Sequence, residues 1–344
     1  MTSLMNKDII KKRANDILFY GIDKSYGGYG IDFHRLYLEH YNLGFSSNDT
    51  NLILSLNAHL WGGVFPLIFC GSEIQRKKYI PQLLHFDLCA GHAITEEHAG
   101  SNINSIITQT QEVEGGFLLN GAKRYVTNCS FADVLTIYAK NEHNKLNAFL
   151  VFTNDIGVSI SQNNTTTSFN GSGMGEILFD KCFLPQERLI GKDGAGSIIF
   201  QKVIELERAF LFAGIVGIMQ RQLDFVVDFI KKKVVNNKQL KDYSHIASII
   251  AEIALSIETI KLWIEKCVKA QNQGKSLTLI SSYTKLFASE EFVKSSCNII
   301  KVLGALGLEK NNIFSTLVLD SLGTQILSGT NDIQRNIIST YLTL

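Results

Sequence analysis

The chain has 344 residues, of which 45% are hydrophobic and 19% charged, with a formal net charge of +1. This composition excludes a disordered chain, and the length suffices for two or three buried cores. The near-neutral balance, with no basic cluster interleaved with aromatics, argues against a nucleic-acid partner.

Along the first 87 residues the apolar spacing predicts helices over Phe33–Leu43, Asn51–Leu60 and Ser72–Leu84, interrupted by a glycine-rich loop at Tyr26–Gly30. From about 88 to 192 the period shortens to two, with β-forming runs near 116–120, 134–138, 147–152, 157–161 and 176–179. The polar stretch Asn163–Gly173 reads as an exposed turn. Helical spacing returns over 197–233, 243–272, 276–302 and 312–322, and a last helix at 331–342 follows the Ser328-Gly329-Thr330 loop. Long helices with short connections imply a bundle. Lys231-Lys232-Lys233 reads as a solvated helix end complementing the helix dipole.

The cysteines at 70, 89, 129, 182, 267 and 297 form no C-x-x-C pair, and no His/Cys spacing suits a metal. Free thiols in a cytoplasmic compartment, and no metal, are therefore expected. The N-terminus lacks the charged leader and apolar core of a secretory signal. The longest apolar run, Ala209–Met219, is bounded by Arg208 and Gln220 and falls short of the roughly 20 residues that a bilayer needs. No membrane association is expected.

Two blocks carry the chemistry, His92–Ser101 (HAITEEHAGS) and Asn120–Asn128 (NGAKRYVTN). Both set small hydroxyl residues and glycines beside β-prone runs. Such a surface presents backbone N–H and hydroxyl donors to a flat, polar-edged cofactor. In this order the blocks resemble the flavin-binding region of the acyl-CoA dehydrogenase family. Further matches are Ser25–Asp32, Phe179–Pro185, Gly304–Gly307 and Gly329–Arg335, so the resemblance spans nearly the whole chain.

The resemblance implies an α+β fold: an N-terminal helical domain (1–87), a central β-domain (88–192) and a C-terminal four-helix bundle (193–344). The Ser25–Asp32 match stands much nearer the N-terminus than in family members, so the first family helix is expected to be largely missing. The implied cofactor is FAD. The implied reaction is α,β-dehydrogenation of an acyl thioester, in which a carboxylate removes the α proton and hydride leaves the β carbon for flavin N5. Such a site needs a base held near a working pKa and donors for the developing enolate.

In most family members the base directly precedes the Gly-Thr of the last motif, and here that position is Ser328. A serine hydroxyl is far too weak a base unless something deprotonates it. A minority branch carries the base on the first bundle helix, before an arginine; Glu207, followed by Arg208, matches that position. The plainer reading of Glu207 is an ordinary helix carboxylate paired with a neighbour. Arg208 is read either as a contact to the thioester's carrier portion or as half of a structural salt bridge. Glu205 projects from another helix face.

By position, Ile94, Thr95, Gly100, Ser101, Tyr125, Val126 and Thr127 are implied flavin contacts, with Ser101 also facing substrate. Thr95 and Thr127 would donate to the ring edge and Tyr125 would pack against it; Thr and Ser beside Gly are also ordinary turn residues. Glu96 is read as structural. His92 and His98 read as satisfied loop histidines, with catalysis as the alternative. The pyrophosphate and adenosine half falls to Lys233, Lys301, Gly304, Thr330 and Asp332, where lysine replaces residues usual in the family and loses arginine's forked geometry.

The family implies a homodimer or homotetramer and an electron acceptor such as an electron-transfer flavoprotein. The thioester carrier is coenzyme A or a carrier protein. The small residue at 328 would widen the pocket beside the α carbon toward branched acyl groups. A flavin monooxygenase or oxidase of the same fold, and a relative that has lost flavin, are the alternatives.

Overall fold

The computed structural model describes residues 4–14, 16–161, 166–310 and 312–343. A short helix, α1 (Lys7–Ala14), leads into α2 (Phe33–Ser47), α3 (Thr50–Asn57), α4 (Phe65–Cys70) and α5 (Glu73–Leu84). The entries of α2, α3 and α5 are set by Asp32, Asp49 and Ser72, whose side chains accept from first-turn N–H groups. At α5 Gln75 completes a reciprocal capping box.

The helix expected to stop at Leu60 does not stop there. A π-helical segment, Ala58–Val64, joins α3 to α4 and makes 50–70 continuous. Its Gly62-Gly63 pair lies so close to the first strand that a Cβ at Gly62 would sit 2.8 Å from His92 Cγ, and one at Gly63 2.2 Å from Ala90 Cβ. Any larger residue would push helix and strand apart.

The β layer holds β1 (Ala90–Ala93), β2 (Gln109–Val113), β3 (Gly116–Val126), β4 (Val134–Lys140), β5 (Leu146–Phe152), β6 (Val158–Ser161) and β7 (Gly175–Pro185). Their order is β1-β4-β2-β3-β7-β6, with β5 also paired to β4. The period-two pattern sorts side chains between two cores. Leu135, Ile137 and Ala139 of β4 join Phe149, Val151 and Leu119 in the sheet's own core. Val134 and Tyr138 of β4, with Ala90 of β1, face the opposite way into the helical core.

The bundle consists of α6 (Gly196–Lys232), α7 (Ser244–Asn272), α8 (Thr278–Leu303), α9 (Ile313–Thr324) and α10 (Asn331–Thr343), with a two-strand hairpin β8 (Val234–Val235) and β9 (Lys238–Gln239) after α6. α2 crosses α6 at glycines: a Cβ on Gly44 would sit 1.9 Å from the Gly214 carbonyl oxygen, and one on Gly217 2.1 Å from that of Tyr41. Helices 50–70 and 196–232 are long and apolar enough to cross a bilayer. Yet 89% and 72% of their apolar windows are buried within the protein, as expected of core helices.

The segment expected as an exposed turn is only partly described, because Asn163, Asn164 and Thr165 lie outside the described residues. The rest of it is partly docked: Thr167 and Asn170 are exposed, but Phe169, Gly171 and Ser172 are buried. Phe169 is 2% exposed, its N–H donates to Asp320 at 2.6 Å, and the Gly171 N–H donates to Asn51 at 2.9 Å. Backbone N–H groups of this stretch are paired with side chains of α3 and α9, a contact that local sequence does not display.

Candidate active site

The middle of α6 is buried on every side. Within it Glu205, Glu207 and Arg208 are 8%, 7% and 6% exposed. The Ser328 hydroxyl donates to Glu207 Oε1 at 2.6 Å, while Glu207 Oε2 is buried without a hydrogen bond among the described residues. His92 Nε2 of β1 lies 3.4 Å from that second oxygen. The two positions rivalling each other for the base, 207 and 328, are thus one contact.

Ser328 occupies the turn between α9 and α10 with φ of 54°, in the left-handed region. Three donors from three helices hold this turn. Arg208 Nε donates to the Ser328 carbonyl at 3.0 Å, Gln334 Nε2 to that of Gly329 at 2.9 Å, and Lys285 Nζ to that of Gln325 at 2.9 Å. Lys285 also donates to Asn331 Oδ1 at 2.5 Å.

Arg208 makes no salt bridge among the described residues, so its reading as half of an ion pair is corrected. It grips backbone instead, and its terminal nitrogens carry no hydrogen bond among the described residues. Burial pushes the Arg208 guanidinium down to about 10, although the nearby carboxylates Glu205 and Glu207 oppose this. Glu205 faces away from Ser328: it accepts from Gln201 at 3.1 Å and from Thr278, beside a cavity of about 360 Å³ lined by Phe69, Lys202, Gln271 and Lys275.

Burial pushes the Lys285 ammonium down to about 7, with the charge of Arg208 acting the same way. A folded pKa below the unfolded one means that the unfolded chain binds more protons between these values. Stability should therefore rise with pH from about 7 towards 10, by at most about 1.4 kcal/mol per pH unit. Neutral Lys285 still has two N–H donors for Gln325 and Asn331. Thermal unfolding across this range should show the increment in the wild type and lack it in Lys285→Met.

Two and three residues beyond His92 come Ile94 and Thr95, roughly 7–10 Å along the strand direction. A buried pair binds the two motif blocks: Lys123 Nζ donates to Glu96 Oε1 at 2.7 Å and to the Ile94 carbonyl at 3.2 Å. Glu96 also accepts from the N–H groups of Ile107 at 2.6 Å and Thr108 at 3.1 Å. Burial raises the Glu96 carboxyl, but the Ile107 N–H and Lys123 outweigh it and hold the group below its usual range.

The pairing of β3 with β7 slips between Lys123 and Val126, and Tyr125 takes φ of 55° there. This bulge turns the Tyr125 ring outward, 51% exposed, with the Arg124 guanidinium over it. Thr95 and Thr127 are half-buried and their hydroxyls make no hydrogen bond among the described residues. Gly100 and Ser101 are exposed, and a Cβ at Gly100 would meet nothing within 4 Å. The Val126 side chain belongs to the sheet's own core, which leaves its backbone to serve a ligand.

The remaining residues divide in two. Thr330 caps the first turn of α10 through Ile333 N–H at 3.3 Å, and Asp332 follows it, paired with Arg335 at 3.0 Å. Lys233 lies at the exposed end of α6, roughly 39 Å along the helix from Glu207. Lys301 and Gly304 lie at the corresponding end of α8, roughly 24 Å and more beyond Lys285. Within one chain these three are not brought to Glu207.

Two residues of the site escaped the sequence reading. His92 is a strand residue facing Glu207, not a satisfied loop histidine, and its Nδ1 is buried without a partner among the described residues. Its place one strand position before the flavin-edge block was the available signal. Lys123, set in the second block, had no polar partner visible nearby in sequence. Among the described residues no cluster of His, Cys, Asp and Glu has the makings of a metal site.

The family models that match are the acyl-CoA dehydrogenase middle domain over residues 91–182 and the acyl-CoA dehydrogenase C-terminal domain over 194–343. An acyl-CoA dehydrogenase of Bacillus subtilis is 30% identical over 97% of this chain and 89% of its own length. An L-prolyl-[peptidyl-carrier protein] dehydrogenase of a Serratia species is 32% identical over 88% of this chain and 79% of its own length. Among solved structures, PigA with FAD and proline superposes with a TM-score of 0.95 at 29% identity, covering 99% of this chain and 90% of that one.

Proposed function

This chain belongs to the acyl-CoA dehydrogenase family, and we propose that it is an FAD-dependent dehydrogenase of acyl thioesters in which Glu207 is the base. One observation carries the reading. Glu207 is a buried carboxylate with one oxygen tethered by Ser328 and the other without a hydrogen bond among the described residues. A tethered oxygen fixes orientation, and an untethered one is available to a proton.

The residues suit a flavin. Thr95 and Thr127 offer unengaged hydroxyls, Tyr125 offers an outward ring, and all three adjoin the strand that passes Glu207. The likeness to PigA with FAD supports the same cofactor. When bound, FAD supplies the hydride acceptor. Glu207 Oε2 takes the α proton of the thioester, and the electron pair left behind is held as an enolate until the β hydrogen departs. Arg208, with free N–H groups beside the turn, would contact the thioester's carrier arm.

Lys233, Lys301 and Gly304, distant from Glu207 in one chain, would serve the pyrophosphate half of a flavin held mainly by another copy. A homodimer or homotetramer follows from that division. An electron-transfer flavoprotein is the proposed acceptor.

The relatives' names supply two carriers, coenzyme A and a peptidyl-carrier protein, at similar identity. The test is anaerobic mixing of the purified yellow protein with one acyl group on each carrier. Bleaching of the flavin band is expected with a thioester and no oxygen, faster on the true carrier. A protein that stays yellow with every thioester would point to oxygen chemistry, and a colourless one unable to take up FAD to a non-catalytic relative.

A further inference from the structure

We propose that His92 is a positioning residue for Glu207, holding and polarising the one carboxylate oxygen that Ser328 leaves untethered. The inference rests on Glu207 being the base.

Ser328 grips Oε1, so the carboxylate plane pivots about that contact. Among the described residues Oε2 is buried without a hydrogen bond, a costly state for a carboxylate oxygen unless a donor or cation stands near. Among the described residues the basic group within 4.0 Å of it is the His92 imidazole, at 3.4 Å. At that separation the ring steers the oxygen electrostatically while leaving it free for a substrate proton.

The ring is itself fixed by tertiary structure. Its backbone pairs with Thr136 of β4, and Gly62 of the π-helical turn lies so close that a Cβ there would sit 2.8 Å from the His92 Cγ. A π-helical turn placed against a functional strand is a recurring device of active sites. Because Nδ1 has no partner among the described residues, no neighbour dictates the tautomer. Nε2 is therefore able to donate towards an ionised Oε2 or to accept from a protonated one, complementing the base before and after proton transfer.

The charged and titratable groups facing Glu207 are Arg208 and, on the far face, Glu205 from α6, Tyr138 from β4, and Lys285 from α8 behind Arg208. Arg208 is committed to the Ser328 carbonyl and Lys285 to Gln325 and Asn331. His92 is thus the group that stands nearest Oε2 from outside the substrate, with a ring nitrogen directed at it.

The test compares wild type, His92→Gln and His92→Leu holoenzymes. Anaerobic flavin reduction by an acyl thioester is followed across pH, and the protonated-carboxyl infrared band, assigned by its loss in Glu207→Gln, is followed over the same range. In His92→Leu the reduction rate should fall about 10- to 100-fold with substrate affinity little changed. Its acid limb and infrared band should both move to higher pH, because the ionised carboxylate loses the donor that faces it. His92→Gln, which keeps a donor, should recover most of the rate and bring the acid limb back towards that of the wild type.

Wild-type profiles in both variants would overturn the proposal, and so would a rate loss with the acid limb and band unmoved, the mark of packing alone. If His92→Leu fails to fold, His92→Phe, a ring without a donor, decides by the same acid limb and band. Wild-type reduction in Glu207→Gln would instead sink the assignment of the base, an outcome separate from the infrared result.

Discussion

Glu207→Gln protein binds FAD and unfolds like the wild type, but its flavin is reduced by an acyl thioester at least a hundredfold more slowly. That is the expected result, with losses of about 10²–10⁴ for removal of a positioned general base. The side chain stays in place because an amide oxygen accepts from Ser328 as a carboxylate oxygen does, across the same 2.6 Å. What disappears is proton affinity at the second position. An amide nitrogen has no lone pair to give, and it would point an N–H where the substrate's α hydrogen must leave. Stopped-flow reduction under anaerobic conditions, with the flavin spectrum recorded before mixing, reads both halves. A variant reduced at the wild-type rate would remove Glu207 from the mechanism. Ser328→Ala provides no substitute for this experiment, since it alters the tether and leaves the carboxylate.

Lys123→Met has the largest expected effect on stability. Lys123 is fully buried and pairs with Glu96, and removing one member of such a pair costs about 3–5 kcal/mol because the other charge is stranded. The Ile107 and Thr108 N–H groups still hold Glu96, which places the expected loss towards the lower end of that range. The damage lies directly beneath Ile94, Thr95 and Tyr125, so FAD content should fall together with the melting temperature. Glu96→Gln added to Lys123→Met should restore part of both, since no unpaired charge then remains. Thermal unfolding and the ratio of flavin to protein absorbance check this. Unchanged values in Lys123→Met would mean that the pair does not join the two blocks energetically.

Both effects show how the site is divided between local and distant sequence. Glu207 was legible because the usual base position holds Ser328 and a carboxylate precedes Arg208 on the first bundle helix. The block proposed for the flavin edge was legible as a candidate because its residues are near one another in the chain. His92 was not, since what distinguishes it is a helix at residues 58–64 pressing on it from one side and α6 facing it from the other. The π-helical turn itself leaves no mark in apolar spacing, because every position from Ala58 to Val64 is buried. The segment at 166–173 was not legible for a related reason: its backbone N–H groups at Phe169 and Gly171 are paired with Asp320 and Asn51, which are distant in sequence.

From its residues alone this chain declares the succession of helices, strands and helices and the two glycine- and hydroxyl-rich blocks. Each of these depends on spacing within a single element, governed by periods of 3.6 and 2.0 residues. Tertiary structure alone decided which oxygen of Glu207 is tethered, which faces an imidazole, and which cationic residues sit too far along their helices to help. Those are contacts across more than a hundred residues of chain in the Ser328–Glu207 and His92–Glu207 cases. No local pattern encodes them, because they exist only once α6, β1 and the α9–α10 turn have packed together.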